Sequence, residues 1–240
     1  MCGKKKMTES LIIFDVDNTL IKYKEGLDFF DNILIEALKE HNIAIPSDKE
    51  RLTIWQSGKD YPLIFERWGI EGEKILEFWK TFDKLDTEIR KEMTLTKQIV
   101  PNDHVYEVLE QLSDGGFQLA ALSNSNQPIT EFFLKYFKLK KFFVAVRGLS
   151  PEKHPLDCKP EINNYIKLIN SMGFDDSSND VYIVGDSYTD ILLAKRVNAR
   201  AFLLNPNYEI LTRIKQALSG FDYKVIDSLR ALLQILMPSN

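Results

Sequence analysis

The sequence predicts an α/β fold in which a doubly wound parallel sheet is interrupted, after its first strand, by an inserted α-helical cap. Three observations predict it. Short apolar runs alternate with helical segments after Pro101, one apolar run stands alone before Asp15, and only helical spacing occurs between them. Strands that alternate with helices form a parallel sheet that is covered on both faces.

The first predicted strand, residues 11–14, is a continuous apolar run, which is typical of a strand buried on both faces. Asp15 and Asp17 follow it, at the edge of the sheet where open α/β proteins bind their ligands. Because two carboxylates this close repel each other, the pair predicts a bound cation, namely Mg²⁺ held by oxygen ligands. The alternative interpretation is an Asp-rich turn without a ligand.

The residues from 27 to 96 are predicted to form helices. Apolar residues recur there at helical spacing, at Leu27, Phe30, Leu34, Leu38, Ile75, Phe78, Trp79 and Phe82. Helix breakers divide the segment into about four helices, at Pro46, Ser57, Gly58, Pro62, Gly69 and Gly72. Trp55, Trp68 and Trp79 all lie in this segment, and we expect all three to pack in its core.

Beyond residue 101, five further strands are predicted, at residues 117–122, 142–146, 181–184, 201–204 and 223–226. A helix is predicted over residues 102–113, with Asn102 or Asp103 as its N-cap and Gly115 at its end. Another has Pro160 at its first position and stops near Gly173. A last helix follows the strand at residues 223–226.

These elements make residues 1–22 and 97–240 a Rossmann-like α/β core domain and residues 23–96 a helical cap domain. The chain passes between the two at residues 22–26 and 96–101, which are candidate hinges. Residues 1–9 are predicted to be a tail. Although Lys4, Lys5 and Lys6 are typical of the start of a signal peptide, the apolar run that follows them is too short for one.

The composition excludes several classes of protein. With 240 residues and a net charge of −4, the chain has no basic excess that would indicate nucleic-acid binding. No stretch approaches the roughly 18 apolar residues of a membrane helix. Cys2 and Cys158 cannot form a disulfide framework, so we expect a cytoplasmic protein. We expect it to be a monomer or a small homo-oligomer. His41, His104 and His154 have no partners at metal-ligand spacing, which argues against zinc.

Three further segments lie at predicted strand ends. Ser123 and Asn124 follow a strand in a turn whose hydroxyl and N–H groups can hold an anion, or which is a plain polar turn. Lys159 precedes a predicted helix start, and a lysine beside a helix N-terminus forms a phosphate site. The alternative is an ordinary surface lysine. Asp186 and Asp190 form a second acidic pair after a strand.

In this order, the four motifs resemble those of the haloacid dehalogenase-like (HAD) hydrolase superfamily. The first motif matches Asp15-Val16-Asp17-Asn18-Thr19-Leu20, the second Ser123, the third Lys159, and the fourth Gly185-Asp186 through Asp190. The resemblance covers nearly the whole chain, and the four motifs together are specific. The helical insert is similar to the first type of cap in that superfamily.

The resemblance implies a Mg²⁺-dependent enzyme. Asp15 would be the nucleophile that forms an aspartyl phosphate, and Asp17 the general acid and base. Asp186 would bind Mg²⁺ together with an Asp15 oxygen and the Asp17 backbone carbonyl. Asp190 would be a second ligand or a partner of the ligands.

The resemblance also implies a phosphate site, in which Ser123 and the Asn124 amide hold the phosphoryl oxygens and Lys159 offsets the negative charge. Asp17 favours a phosphatase over a dehalogenase, because displacement of a halide needs no protonated ester oxygen.

The leading hypothesis is therefore a phosphatase of a small metabolite, such as a sugar phosphate, a glycolate-like phosphate or a nucleoside monophosphate. Arg51, Lys59, Tyr61 and Arg67 of the cap are candidates for contacts with the leaving group. Phosphotransfer to another hydroxyl, as in mutases, stays open because its first half-reaction is the same. A non-catalytic binding protein on this fold is a third hypothesis, which the intact motifs disfavour.

Overall fold

The computed structural model describes residues 10–55, 57, 60–150, 156–177 and 180–238. The predicted tail lies outside these residues, as do Gly58, Lys59 and His154. The described strands are β1 (Ser10–Phe14), β2 (Ile21–Tyr23), β3 (Ile99–Pro101), β4 (Gln118–Asn126), β5 (Ala145–Leu149), β6 (Asp180–Gly185), β7 (Arg200–Leu204) and β8 (Tyr223–Ile226).

The described helices are α1 (Phe29–Glu40), α2 (Asp48–Ile54), α3 (Tyr61–Arg67), α4 (Glu73–Leu95), α5 (Val105–Asp114), α6 (Gln127–Tyr136), α7 (Asn163–Met172), α8 (Tyr188–Arg196), α9 (Tyr208–Ala217) and α10 (Arg230–Leu236). A short 3-10 helix lies at Lys140–Phe142. Within the described part of the chain, no helix combines the length and the hydropathy that a membrane span requires.

The predicted α/β fold is confirmed. Six strands form one parallel sheet in the order β5-β4-β1-β6-β7-β8. Side chains of β1 alternate between two cores, with Ile12 and Phe14 in one and Leu11 and Ile13 in the other. The first core includes α5, α6 and α10, and the second includes α7, α8 and α9. The sheet is therefore doubly wound.

The four helices α1 to α4 lie between β2 and β3, as the helical spacing predicted. They share a core of their own, in which Phe65, Phe78 and Trp79 are buried. β2 and β3 pair antiparallel, with Tyr23 opposite Ile99, and form a two-stranded ribbon. This ribbon overlaps both segments that were predicted as hinges. The domain boundaries after residues 22 and 96 remain a prediction.

All six predicted core strands occur, but the bounds of two differ from the prediction by more than one residue. β4 continues to Asn126, so Ser123 and Asn124 lie in a strand and not in the predicted turn. The pairing of β4 with β5 is irregular between Leu122 and Asn126. The strand predicted at residues 142–146 begins only at Ala145, because Phe142 ends a 3-10 helix and Phe143 packs into the core. The spacing of apolar residues alone cannot distinguish a strand from a segment that only packs against the core.

The predicted N-caps of α5 are wrong. The residue before the helix is His104, which has a left-handed conformation with φ 61° and makes no side-chain cap. Asn102 instead uses its side-chain Nδ2 to donate to the Thr19 carbonyl at 2.9 Å, and thereby joins the start of α5 to the loop after β1. Asp103 forms a surface ion pair. Gly115 does end α5, as predicted.

The expectation that all three tryptophans are core residues is confirmed for Trp79 alone. Trp79 is buried, and Trp68 packs against the same core while partly exposed. Trp55 follows the end of α2 and is 43% exposed, with its ring near those of Phe30 and Phe82. It therefore belongs to the surface of the insert and not to its interior.

Candidate active site

The order of the sheet brings three predicted site residues to one edge. β1 lies between β4 and β6, and the backbone N–H of Asp15 donates to the Val184 carbonyl at 2.9 Å. Ser123 near the end of β4 and Asp186 after β6 therefore lie on either side of Asp15. The ends of parallel strands meet in this way whatever the distance between them along the chain.

Lys159 reaches this edge from the loop between β5 and α7. Its buried Nζ donates to Asp15 and, at 2.6 Å, to Asp190 Oδ1. Burial lowers the pKa of Lys159, but the two carboxylates outweigh it and the pKa is raised, so the group stays a cation. The side chain of Asn124 holds the Lys159 backbone, since its Oδ1 accepts from Lys159 N at 2.6 Å and its Nδ2 donates to Lys159 O at 3.3 Å.

The predicted combination of Lys159 with a helix N-terminus is wrong. α7 begins at Asn163, so Pro160 is not its first residue, although Gly173 ends it as predicted with φ 62°. A proline suits the first helical position, but helix bounds read from sequence are uncertain by a few residues. Lys159 acts at this edge through its own charge.

Three carboxylates meet beside Lys159. One oxygen each of Asp15, Asp186 and Asp190 lies within 4.8 Å of the others, and we call these residues the acidic cluster. Burial raises the pKa of Asp15 well above its usual range, against the effect of Lys159, and the neighbouring carboxylates raise it further. Burial and Asp190 raise the pKa of Asp186 to about 7. A crowded, all-oxygen group of this kind fits a divalent cation such as Mg²⁺.

Asp190 is fixed by a capping box at the start of α8. Its Oδ2 accepts from the backbone N–H of Ser187 at 3.1 Å and from the Ser187 hydroxyl at 2.5 Å, while Oδ1 accepts from Lys159. Gly185, the last residue of β6, allows this approach, because an added Cβ would overlap the Asp190 carboxylate. The turn after β6 thus sets the position of Lys159 through Asp190.

Asp17 lies two residues from Asp15, but its carboxylate belongs to a different network. Its Oδ1 accepts from the Tyr23 hydroxyl at 2.5 Å and from Arg90 Nη1 at 3.0 Å. Its Oδ2 accepts from Ser125 Oγ at 2.6 Å and from Ser123 Oγ at 3.3 Å. The two acids of the first motif therefore have separate sets of neighbours.

The sequence analysis missed Arg90, which lies on α4 and is fully buried. Its Nη2 donates to Asp86, and its Nη1 contacts the hydroxyls of Tyr23 and Ser125 at 3.0 Å each. Asp86 also accepts from Asn126 Nδ2 at 3.0 Å. An acid and a base four residues apart on the apolar face of a helix are the signal that could have revealed this network.

A cavity of about 670 Å³ lies between the insert and this edge of the sheet. Its volume is within the usual range for small-molecule sites. On the sheet side it is lined by Asp17, Asn124, Ser125 and Lys159. On the insert side its apolar lining residues are Leu27, Phe30, Leu52, Ile54, Trp55, Trp79 and Phe82.

The predicted polar contacts of the insert do not line this cavity, as far as the described residues show. Arg51 is buried, and its Nη2 donates to Asp31 at 2.6 Å. Tyr61 is buried in the core of the insert, and Arg67 is exposed at the end of α3. Lys59 lies outside the described residues. The polar side chains of these four residues indicated contact with a ligand, but residue type does not indicate which face of a helix meets the cavity.

Comparisons with known proteins agree with the motifs. The profile of a family described as haloacid dehalogenase-like hydrolase matches residues 12–204. Pyrophosphatase PpaX of Bacillus velezensis is 26% identical over 190 residues, which are 79% of this chain and 80% of that protein. A phosphoglycolate phosphatase of Vibrio parahaemolyticus is 31% identical over 137 residues, which are 56% of each chain.

Solved structures share the fold at low identity. The crystal structure of a predicted phosphoglycolate phosphatase from Haemophilus somnus has a TM-score of 0.63 at 22% identity, covering 95% of this chain and 98% of that one. CbbY from Rhodobacter sphaeroides, in complex with xylulose-(1,5)bisphosphate, has a TM-score of 0.68 at 16% identity, covering 94% and 96%.

Proposed function

Because the chain belongs to the haloacid dehalogenase-like hydrolase family, we propose that it is a Mg²⁺-dependent phosphatase that hydrolyses a small phosphorylated metabolite through an aspartyl phosphate on Asp15. The observation that carries the proposal is the contact of Lys159 Nζ with Asp15 beside Asp186 and Asp190. A carboxylate accepts an anionic phosphoryl group only where positive charge offsets their repulsion. Relatives named as phosphatases and a pyrophosphatase support the same reaction class.

Asp15 and Asp17 divide the chemistry between them. An oxygen of Asp15 attacks phosphorus, the bond from phosphorus to the ester oxygen breaks, and Asp17 gives its proton to the leaving oxygen. Water then attacks the aspartyl phosphate and gives a proton to Asp17, which releases phosphate and restores Asp15. The separate neighbours of the two carboxylates support these separate roles, since Lys159 contacts Asp15 while Tyr23 contacts Asp17.

The acidic cluster and the Asp17 backbone carbonyl would hold Mg²⁺. The bound ion supplies positive charge that offsets the charge of the phosphoryl group and helps to orient it. Asp190 already uses Oδ1 for Lys159 and Oδ2 for Ser187, so its main task is to position the lysine. The raised pKa values of Asp15 and Asp186 support the presence of a further cation at this point.

Ser123 and Asn124 would bind the phosphoryl oxygens from the β4 side. The Ser123 hydroxyl lies 3.3 Å from Asp17 Oδ2, which supports a place for the phosphoryl group between Asp15 and Asp17. Lys159 offsets charge on Asp15 and on the phosphate together. We take water as the acceptor and a cytoplasmic small molecule as the substrate. A mutase would differ only in passing the phosphoryl group to a second hydroxyl.

The proposal is tested with Asp15→Asn, which removes the nucleophile but keeps the size of the side chain. We expect hydrolysis of an aryl phosphate in the presence of Mg²⁺ to be abolished, while the thermal unfolding midpoint is kept or raised. Asp114→Asn, at an exposed acid near the end of α5, is the matched control and should be fully active. Unchanged turnover in Asp15→Asn would refute the aspartyl phosphate.

Removal of the metal is a second test. EDTA should stop hydrolysis, and added Mg²⁺ should restore it. The acceptor is identified by hydrolysis in ¹⁸O-labelled water, in which a phosphatase transfers the label to phosphate. Transfer to an added sugar phosphate in place of water would make the protein a phosphotransferase.

A further inference from the structure

The apolar wall of the cavity is exposed to solvent. Trp55 is 43% exposed and Leu52 is 59% exposed, and both line the cavity from the insert side. The Phe30 ring lies behind Trp55, with 6.4 Å between the ring centroids. Large apolar groups that line a concave site beside polar groups are typical of a surface that binds an apolar part of a ligand.

Among the described residues, the charged side chains of this wall are four acids, Asp28, Asp31, Asp83 and Asp86, and one base, Arg90. Asp31 accepts from Arg51 Nε at 2.8 Å and from Arg51 Nη2 at 2.6 Å. Arg90 donates to Asp86 and to Asp17. An anionic leaving group would therefore approach carboxylates and hydrocarbon, and would lose hydration without gaining a cation from the described residues of the insert.

Among the described residues, the sheet side of the cavity offers two cations. Lys159 contacts Asp15 and Asp190, where the phosphoryl group itself is expected. Arg213 on α9 also lines the cavity, and its guanidinium lies over the Tyr188 ring at 4.4 Å from the centroid. Arg213 is thus the residue through which an anionic leaving group could be recognised, and the experiment must include it.

Resting on the proposed function, we infer that the substrate is a phosphate monoester whose leaving group has no negative charge and carries an apolar group of about the size of an aromatic ring, packed against Trp55 and Leu52. Its phosphoryl group lies at Asp15, and its hydrocarbon part extends along the insert. Aromatic packing and removal of apolar surface from water favour this arrangement. The inference separates this chain from a phosphatase that acts on carboxylated or doubly phosphorylated substrates.

The test compares 2-phenylethyl phosphate with phosphoglycolate and inorganic pyrophosphate in the presence of Mg²⁺. The first two both release an aliphatic alkoxide, so their difference reports the rest of the leaving group and not the reactivity of the ester bond. We expect kcat/KM to be about tenfold or more higher for 2-phenylethyl phosphate, the size of discrimination that an apolar pocket achieves.

Substitutions locate the selectivity. Trp55→Ala and Leu52→Ala should each lower the ratio of kcat/KM for 2-phenylethyl phosphate to that for phosphoglycolate. Leu63→Ala is the matched control, because Leu63 is a similarly exposed leucine of the insert, at 56%, that does not line the cavity. It should leave both values unchanged, and Arg213→Ala should leave the ratio unchanged.

The outcomes are separable. Faster hydrolysis of phosphoglycolate or pyrophosphate that depends on Arg213 would overturn the inference while leaving the proposed function intact. A ratio that Trp55→Ala and Leu52→Ala do not change would overturn it as well. Absence of hydrolysis of all three compounds and of aryl phosphates would overturn the proposed function itself.

Discussion

At the scale of single residues, the site depends on the neighbours of each acid. Asp15 lies against Lys159, whereas Asp17 lies against Arg90 and Tyr23. Burial raises the pKa of Tyr23 well above its usual range, so its hydroxyl stays protonated and remains a donor to Asp17. We therefore propose that Arg90 is a positioning residue, which acts on the proposed reaction through the orientation of Asp17.

Arg90→Met tests this role. Methionine keeps an apolar stem but removes the guanidinium, which lies over the rings of Phe30 and Phe133, and so leaves the charge of Asp86 buried without its cationic partner. We expect a loss of about 3 kcal/mol in the free energy of unfolding, and a fall in kcat of about 100-fold because Asp17 loses a fixed donor. Urea unfolding and steady-state kinetics measure the two effects.

The double variant Arg90→Met/Asp86→Asn separates stability from positioning. The asparagine removes the unpaired charge but can still accept from Asn126. Most of the lost stability should return, because the cost of the single substitution comes mainly from an uncompensated buried charge. The fall in kcat should remain. Recovery of kcat together with stability would mean that Arg90 is only structural.

Cys158 gives a prediction about pH. Burial raises the pKa of its thiol to about 12, although Lys159 next to it acts in the opposite direction. Since the thiolate is the reactive form, a raised pKa means that the reactive form is scarce at pH 8 and increases as the pH rises. In a Cys2→Ser background, alkylation by iodoacetamide at pH 8 should be at least about 100-fold slower in the native chain than in urea. A native rate that levels off below pH 9 would contradict the raised pKa.

At the scale of elements, the end of β6 and the start of α8 act as one unit. Gly185 ends the strand, Ser187 caps the helix, and Asp190 in its first turn holds Lys159. The side chain of Asp190 occupies the space next to Gly185. The site therefore requires a glycine here for close packing, and no positive φ is involved.

Gly185→Ala should displace the Asp190 carboxylate and with it Lys159. We expect a loss of about 1–3 kcal/mol in the free energy of unfolding, as for other overpacked interiors, together with a severe loss of phosphatase activity. Gly115→Ala is the control, because its Cβ would most closely meet the flexible end of the Met237 side chain, with the Gln111 carbonyl oxygen at 3.2 Å, and no residue of the site. Differential scanning calorimetry and an aryl phosphate assay distinguish the two variants, and an active Gly185→Ala would contradict the packing argument.

At the scale of the whole molecule, the insert and the sheet each have a core of their own. The contacts that join them include the ribbon of β2 and β3, the network of Arg90 with Asp17 and Ser125, and the packing of α4 against α6. The cavity lies between the two bodies, so its shape depends on how they are held together. The insert supplies the apolar wall and acids such as Asp31, and the sheet side supplies Asp17 and Lys159.

The predicted domain boundaries are tested by removing residues 25–97. Lys24 N donates to Gln98 O at 3.0 Å, so an Asn-Gly turn between these residues should close the ribbon as a hairpin. We expect the shortened chain to unfold cooperatively and to keep its α/β circular dichroism spectrum, while losing selectivity for 2-phenylethyl phosphate. A chain without a cooperative transition would show that the sheet depends on the insert.

The sequence by itself predicted seven site residues from four motifs, and their roles remain a proposal. It determined the fold class and the six strands of the parallel sheet, because apolar runs are local patterns, but not β2 and β3. It also predicted the helical insert. It placed Ser123 and Asn124 in a turn and Lys159 before a helix, because the bounds of elements depend on pairing and packing that local pattern does not specify. Trp55 was assigned to the core for the same reason.

Only the tertiary structure decided which side chains meet. Arg90 reaches Asp17 across 73 residues of sequence, and Lys159 reaches Asp15 across 144. Such contacts follow from the order of the strands and from the way α4 packs against the sheet. Neither can be read from a fixed spacing of residues along the sequence. The sequence therefore determined the family and with it the class of reaction, whereas the shape of the cavity was decided by the packing of the insert on the sheet.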